Sequence, residues 1–212
     1  MSVVYSLELG VDRERTRRIY DLAHETKALL HGKFTLSSGK ESDHYFEGKR
    51  LTLYPEGAKL IGDEILDRLE GKDIDAVGGL VMGAFPIIIA VAISSYQKGK
   101  PIPTFIVREE PKAHGTRRKI EGHLEKGMKV AIVDDVITTG GSVLKAIQAV
   151  EEEGCKVEKV IVIVDRMEGG SKDLIEHGYD FEAIINLPPS GEASINESES
   201  ITGEAQQGIL HR

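Results

Sequence analysis

Residues 130–142 read VAIVDDVITTGGS, from Val130 to Ser142. An apolar run ends in two adjacent acids, Asp134 and Asp135, which lead straight into Thr138-Thr139-Gly140-Gly141-Ser142. Carboxylates repel phosphate, whereas a Thr/Gly turn ahead of a helix attracts it: the first N–H groups of a helix are unpaired and carry partial positive charge. Glycines let the backbone approach an oxyanion, and hydroxyls add donors. Carboxylates in turn accept hydrogen bonds from vicinal hydroxyls such as those of ribose, and can hold a hydrated Mg2+. The run therefore reads as a site for a ligand that is both sugar and phosphate. Strand alternation predicts that the Asp134 and Asp135 side chains point to opposite sides. A Walker A loop is excluded, since no GxxxxGK[ST] occurs, and no GxGxxG follows a strand.

Outward from this run, strands alternate with helices. Apolar segments at IDAVGGL, PTFIVRE, KVAIVD, KVEKVIVIVDR and FEAIINL predict strands, with helices at AFPIIIAVAISSYQ, SVLKAIQAVEEEG and, opened by Ser171, SKDLIEHG. Continuous Val/Ile runs in place of period-two alternation predict an α/β fold with a central parallel sheet flanked by helices. Ligands of such sheets bind outside the carboxyl ends of the strands, where EEPKAHG, DDVITTGGS and DRMEGG fall. Before the sheet, Ile19, Leu22, Ala23, Thr26 and Leu29 predict a helix from Asp12, its cap, to Leu30, with Gly32 as its stop. GKFTLSSGKESDHYFEGKRLTL reads as short strands and turns, and Pro55 opens a helix carrying Leu60, Ile61, Ile65 and Leu69 up to Gly71. The organisation expected is one domain over residues 1–190, with a small N-terminal hood (about 1–55), a core (about 56–190) and a polar tail (191–212).

Composition narrows the classes. The chain has 212 residues and a formal net charge of −8, which argues against binding nucleic acid through a general basic surface. One cysteine, Cys155, excludes an internal disulfide framework and a Cys-based zinc site, as in a reducing cytoplasm, and it receives no role. The first residues predict no signal peptide, and the longest apolar run, which contains a proline, is about half a membrane span, so no membrane association is expected.

The 130–142 run resembles the signature of the type I phosphoribosyltransferases, which use 5-phosphoribosyl 1-diphosphate (PRPP) with Mg2+. Three further stretches, GKFTLSSGKESDHYF with its following GKR, VREEPKAHG and VDRMEGG, resemble segments of orotate phosphoribosyltransferases in the same order. The resemblance implies the type I phosphoribosyltransferase fold and conversion of orotate and PRPP to orotidine 5′-monophosphate and diphosphate, a step of pyrimidine synthesis. It implies that Asp134 and Asp135 hold the ribose hydroxyls, and that the loop of Val136, Ile137, Thr138, Thr139, Gly140, Gly141 and Ser142 holds the 5′-phosphate. Arg108, Lys112 and His114 would contact the diphosphate, with Lys112 and His114 on a lid that closes over the neighbouring subunit of a homodimer. Thr138 and Arg166 would contact orotate beside Tyr45 and Phe46, although adjacent strand residues face opposite ways. Mg2+ would be held mainly through PRPP and water, with Asp134 or Asp135 as candidate ligands. Some family members carry lysine where this chain has Ser37, Met82 and Glu109. The alternatives are a phosphoribosyltransferase for another base, which would not need VREEPKAHG, and a PRPP-sensing regulator of the same fold, which would need a DNA- or RNA-binding element.

Overall fold

The computed structural model describes residues 2–35, 39, 41–110 and 119–196, with side chains from residue 14 onward. Lys112, His114, Ser37 and residues 197–212 of the expected tail lie outside these described residues.

The chain opens with helix α1 (Ser2–Glu25), a hairpin of β1 (Leu29–Thr35) and β2 (Glu41–Phe46), and two helices, α2 (Gly48–Thr52) and α3 (Pro55–Arg68). There follow β3 (Ala76–Leu80), α4 (Ala84–Gln97), β4 (Thr104–Val107), β5 (Ile120–Gly122), β6 (Lys129–Ile137) and α5 (Gly141–Glu152). The last elements are β7 (Lys156–Asp165), α6 (Gly170–Glu176), β8 (Phe181–Asn186) and β9 (Ser194–Ile195). The main sheet has seven strands in the order β5-β4-β3-β6-β7-β8-β9. Its inner pairs are parallel, and β5 and β9 close the two edges antiparallel.

Both faces of this sheet are covered, as the unbroken Val/Ile runs require. One core joins Val77, Ala131, Val133, Ile161, Ile163 and Ile185 of the sheet to Ile19 and Leu22 of α1, Ile61 and Ile65 of α3, and Ile87 and Val91 of α4. The other joins Val130, Ile132, Val160 and Val162 to Val143, Ala146, Ile147 and Val150 of α5. Leu29, Phe46 and Leu51 of the hood belong to the first core, so the hood is seated on the sheet's covering layer and not merely tethered to it. Among the described residues, no helix is long and apolar enough to cross a membrane.

Four local expectations are corrected. The first helix starts at Ser2, so Asp12 lies in its interior and not at its start. It ends at Glu25, where Lys27 takes a left-handed φ of 58°, and Leu29 and Leu30 begin β1 with Gly32 inside that strand. GKRLT is helix α2, one and a half turns that bury Leu51, which period-two reading cannot register. Helix α6 opens at Gly170, with Gly169 in the left-handed conformation before it, so Ser171 is already inside. Finally, residues 191–196, assigned to the tail, contribute β9, and Arg68 Nη2 donates to the Asn196 carbonyl, so these six residues belong to the fold.

Candidate active site

Strand order reverses between β3 and β6: from β3 the chain moves outward to β4, and from β6 it moves the other way to β7. A crevice forms at the carboxyl ends of strands at such a point. Asp134 and Asp135 stand there at the end of β6, only 5% and 7% exposed. Across from them is the turn between β3 and α4, and a Cβ on its Gly83 would collide with Oδ1 of both acids. A Cβ on Gly48, at the start of α2, would lie 2.6 Å from Asp135 Oδ2. Glycine is required at both places because carboxylates occupy the space a side chain would take.

The two acids do not point to opposite sides. The Asp134 carboxylate turns along its own chain, Oδ1 accepting the Asp135 N–H at 2.9 Å, and thereby meets the Asp135 carboxyl at Gly83. A local side-chain-to-backbone bond has overridden strand alternation. Burial, and then the charge of Asp135, push Asp134 up to about 7. Burial also raises Asp135, opposed by Lys49 of α2, whose Nζ lies 3.9 Å from Asp135 Oδ2. Two desolvated like charges at one point are costly, and a ligand offering hydroxyl donors or a cation relieves that cost.

The loop after β6 has the form its composition predicts. Gly140 takes φ 84° ahead of α5, and the exposed Thr138, Thr139, Gly141 and Ser142 lie around this helix entrance. Val136 is half-buried and Ile137 fully so, which fixes the loop to the sheet. Gly170 donates its N–H to the Thr138 carbonyl at 2.9 Å, and a Cβ on Gly170 would strike the backbone of Thr138 to Gly140. The β7–α6 turn thus buttresses the loop from behind.

Arg166 follows β7 and is 4% exposed; its Nη2 donates to Ser42 Oγ of β2 at 2.8 Å, bringing hood and core together. Arg108 follows β4, and its Nη1 donates to Glu121 Oε1 of β5 at 2.9 Å. Of the expected aromatic pair, Tyr45 is 40% exposed and rests on Phe34, whereas Phe46 is 9% exposed and packs into the first core. Met82, in the turn before Gly83, is exposed, as is Glu109 beside Arg108. Gly83, Gly48, Lys49 and Ser42 escaped the reading of the sequence. Only the GKR motif pointed towards Lys49, and it carries no indication of distance.

The family model for the phosphoribosyl transferase domain matches residues 51–182. The orotate phosphoribosyltransferase of Nostoc sp. is 42% identical over 172 residues, covering 81% of this chain and 82% of that protein. The crystal structure of Mycobacterium tuberculosis orotate phosphoribosyltransferase is 35% identical, covers 82% of this chain and 97% of that one, and superposes with a TM-score of 0.71. A structure of the same enzyme in complex with PRPP gives 31% identity over 82% of this chain and 96% of that one, at a TM-score of 0.68. A family match over more than half of the chain, together with relatives of this identity and coverage, places it: the chain belongs to the phosphoribosyltransferase family, among the orotate phosphoribosyltransferases.

Proposed function

We propose that the protein transfers ribose 5-phosphate from PRPP to orotate, giving orotidine 5′-monophosphate and diphosphate. The observation that carries this reading is the placing of Asp134 and Asp135 side by side at Gly83, next to the glycine-rich entrance of α5. The acids would accept hydrogen bonds from the ribose hydroxyls. Thr138, Thr139, Gly140, Gly141 and Ser142 would hold the 5′-phosphate. Arg166 would pair with the carboxylate or carbonyl oxygens of orotate, with Thr138 and Tyr45 bounding the base. Arg108, after release from Glu121, would draw the diphosphate, together with Lys112 and His114 from residues 111–118.

In the step itself, a bond from orotate N1 to C1′ forms as the C1′–O bond breaks. The electron pair leaves with diphosphate, and the N1 proton passes to water. The protein's contribution is positioning, cationic stabilisation of the departing charge, and exclusion of water. Mg2+ suits the donor set, because Asp134 and Asp135 offer hard oxygens in a cradle that a Cβ at Gly83 would fill. Among the described residues no group of three or more His, Cys, Asp or Glu side chains could hold a metal, so substrate oxygens and water would complete its shell. Bound there, it would neutralise diphosphate charge.

The protein works as a homodimer in the cytoplasm on this reading. Support for a second copy comes from α4, where Phe85, Ile89, Ile93 and Tyr96 recur at helical spacing and are 42%, 44%, 54% and 76% exposed. Such a continuous apolar stripe marks an interaction surface.

The test is loss of orotate absorbance with purified protein, PRPP and Mg2+, with adenine, hypoxanthine and uracil as competing acceptors. Orotate consumption that disappears in Lys112→Ala supports both the reaction and the lid. Consumption of a purine in place of orotate would overturn the base assignment, and binding of PRPP without turnover of any base would favour a regulator.

A further inference from the structure

Arg166 is an unusual buried cation. Its Nη2 reaches a hydroxyl, Ser42 Oγ at 2.8 Å, and a carbonyl, His44 O at 3.4 Å, both neutral. Its Nε is buried without a partner among the described residues. The charge of Glu168, two residues along, favours the guanidinium, but the buried Nε still lacks an acceptor among the described residues, and a desolvated guanidinium needs the full hydrogen bonding that a ligand would supply.

Ser42 is correspondingly overcommitted for a structural serine. It is 3% exposed; its Oγ accepts from Arg166 Nη2 and from the His44 N–H at 3.1 Å, and donates to the His44 carbonyl at 2.9 Å. The Pro189 carbonyl stands 3.4 Å away, and the same carbonyl accepts the Asp43 N–H at 3.0 Å. Ser42 Oγ is thus immobilised by the hood strand on one side and the segment after β8 on the other. It presents a fixed acceptor to a guanidinium that comes from the core. An arginine with free rotation about its last bonds would offer its fork in many orientations, whereas one clamped at Nη2 offers the remaining N–H groups in one plane.

We propose that Ser42 is a positioning residue for Arg166, and that it sets the guanidinium for the carboxylate or carbonyl oxygens of the acceptor base. Resting on the reading of Arg166 as the orotate contact, the inference assigns base selectivity in part to the hood. Binding of the ribose phosphate donor, held by β6 and the loop after it, is independent of Ser42.

The experiment compares Ser42→Ala and Ser42→Thr with wild type in the full chain. In Ser42→Ala, KM for orotate rises about ten-fold, while kcat and KM for PRPP stay within about two-fold, and Ser42→Thr, which keeps the hydroxyl, restores orotate KM. In parallel, 15N NMR of the Arg166 side chain reports rotation about the Cζ–Nη2 bond. Separate Nη2 proton signals are expected in wild type and their collapse in Ser42→Ala. An unchanged orotate KM in Ser42→Ala overturns the proposal, as does an equal rise in both KM values with a lowered melting temperature, which would mark general loosening. Should wild type fail to use orotate, the functional reading falls. The NMR signals then decide separately whether Ser42 holds Arg166, and an Arg166 that rotates freely in wild type refutes that hold.

Discussion

Two clusters of buried charge lie in this molecule, and they are built on opposite rules. Between α3, β8 and β9, Arg68 and Glu64 have side chains 0% and 1% exposed and are joined at 2.7 Å. Arg68 also reaches Glu182 and the Asn196 carbonyl, and Glu64 accepts from Thr16 Oγ1 at 3.0 Å. Every charge there has its complement. At the carboxyl end of β6, two acids face each other and the nearest cation among the described residues, Lys49, stands 3.9 Å away and half in solvent. The first cluster is complete, and holds an edge strand and α1 in place. The second is incomplete, and a polar ligand or cation would complete it. Unbalanced burial of charge is the mark of a site, because evolution has no structural reason to keep it.

The comparison can be broken most forcefully at Arg68. Arg68→Met should cost about 3 kcal/mol in urea unfolding, since the buried Glu64 loses its close partner and keeps only the Thr16 hydroxyl and the Arg15 guanidinium 3.5 Å away. A change below about 1 kcal/mol would mean the complete cluster is not holding the fold. The converse experiment is Asp134→Asn, which should lower kcat about 100-fold yet raise stability.

The sign of that second effect depends on pH. Asp134, held at about 7 when folded, keeps a proton that the unfolded chain gives up near pH 4. Wild-type stability therefore falls as pH rises from about 4 to 7 on account of this group, and stays low above that. In the presence of a chelator, Asp134→Asn should exceed wild type by about 1–3 kcal/mol at pH 8 and match it near pH 4. A variant no more stable than wild type at pH 8 would show that the pair is relieved by other means.

The hood should respond oppositely. His24 and His44 are pushed down chiefly by burial, then by His31, which stacks on His24 and meets His44 edge-on. Asp21 and Asp43 oppose this, and Arg166 adds to it at His44. Below the ordinary histidine range the unfolded chain takes up protons first, so stability falls with acidification. His24→Gln should flatten that limb below the ordinary histidine range, by less than the Asp134 effect. Smallest of all, Lys59→Ala removes an exposed pair with Asp63 on α3 and should cost under about 0.5 kcal/mol in the same urea assay.

What could be read in advance follows from range. Strands β3, β6 and β7 and helices α4 and α5 declare themselves through periodicity, which is local. The loop from Thr138 to Ser142 does so through glycines and hydroxyls that act on their own backbone. Lys49 and Ser42 were illegible because their partners, Asp135 and Arg166, are brought to them only by tertiary packing. The convergence of Asp134 and Asp135 was misjudged because a single hydrogen bond, from the Asp135 N–H, outweighs the pleat. Helix α2 is too short for a helical period to emerge.

The clasp between the hood and the segment after β8 has a consequence for synthesis. His44 Nε2 bonds the Gly191 carbonyl at 2.8 Å, and these two residues stand 147 apart in the chain. At about 5–20 residues per second, a ribosome needs about 7–30 s to deliver that partner. For that interval the hairpin lacks this bond. The hood is thus fastened to this segment only after all the strands of the parallel core have been made, and a segment translated ahead of them is secured behind them.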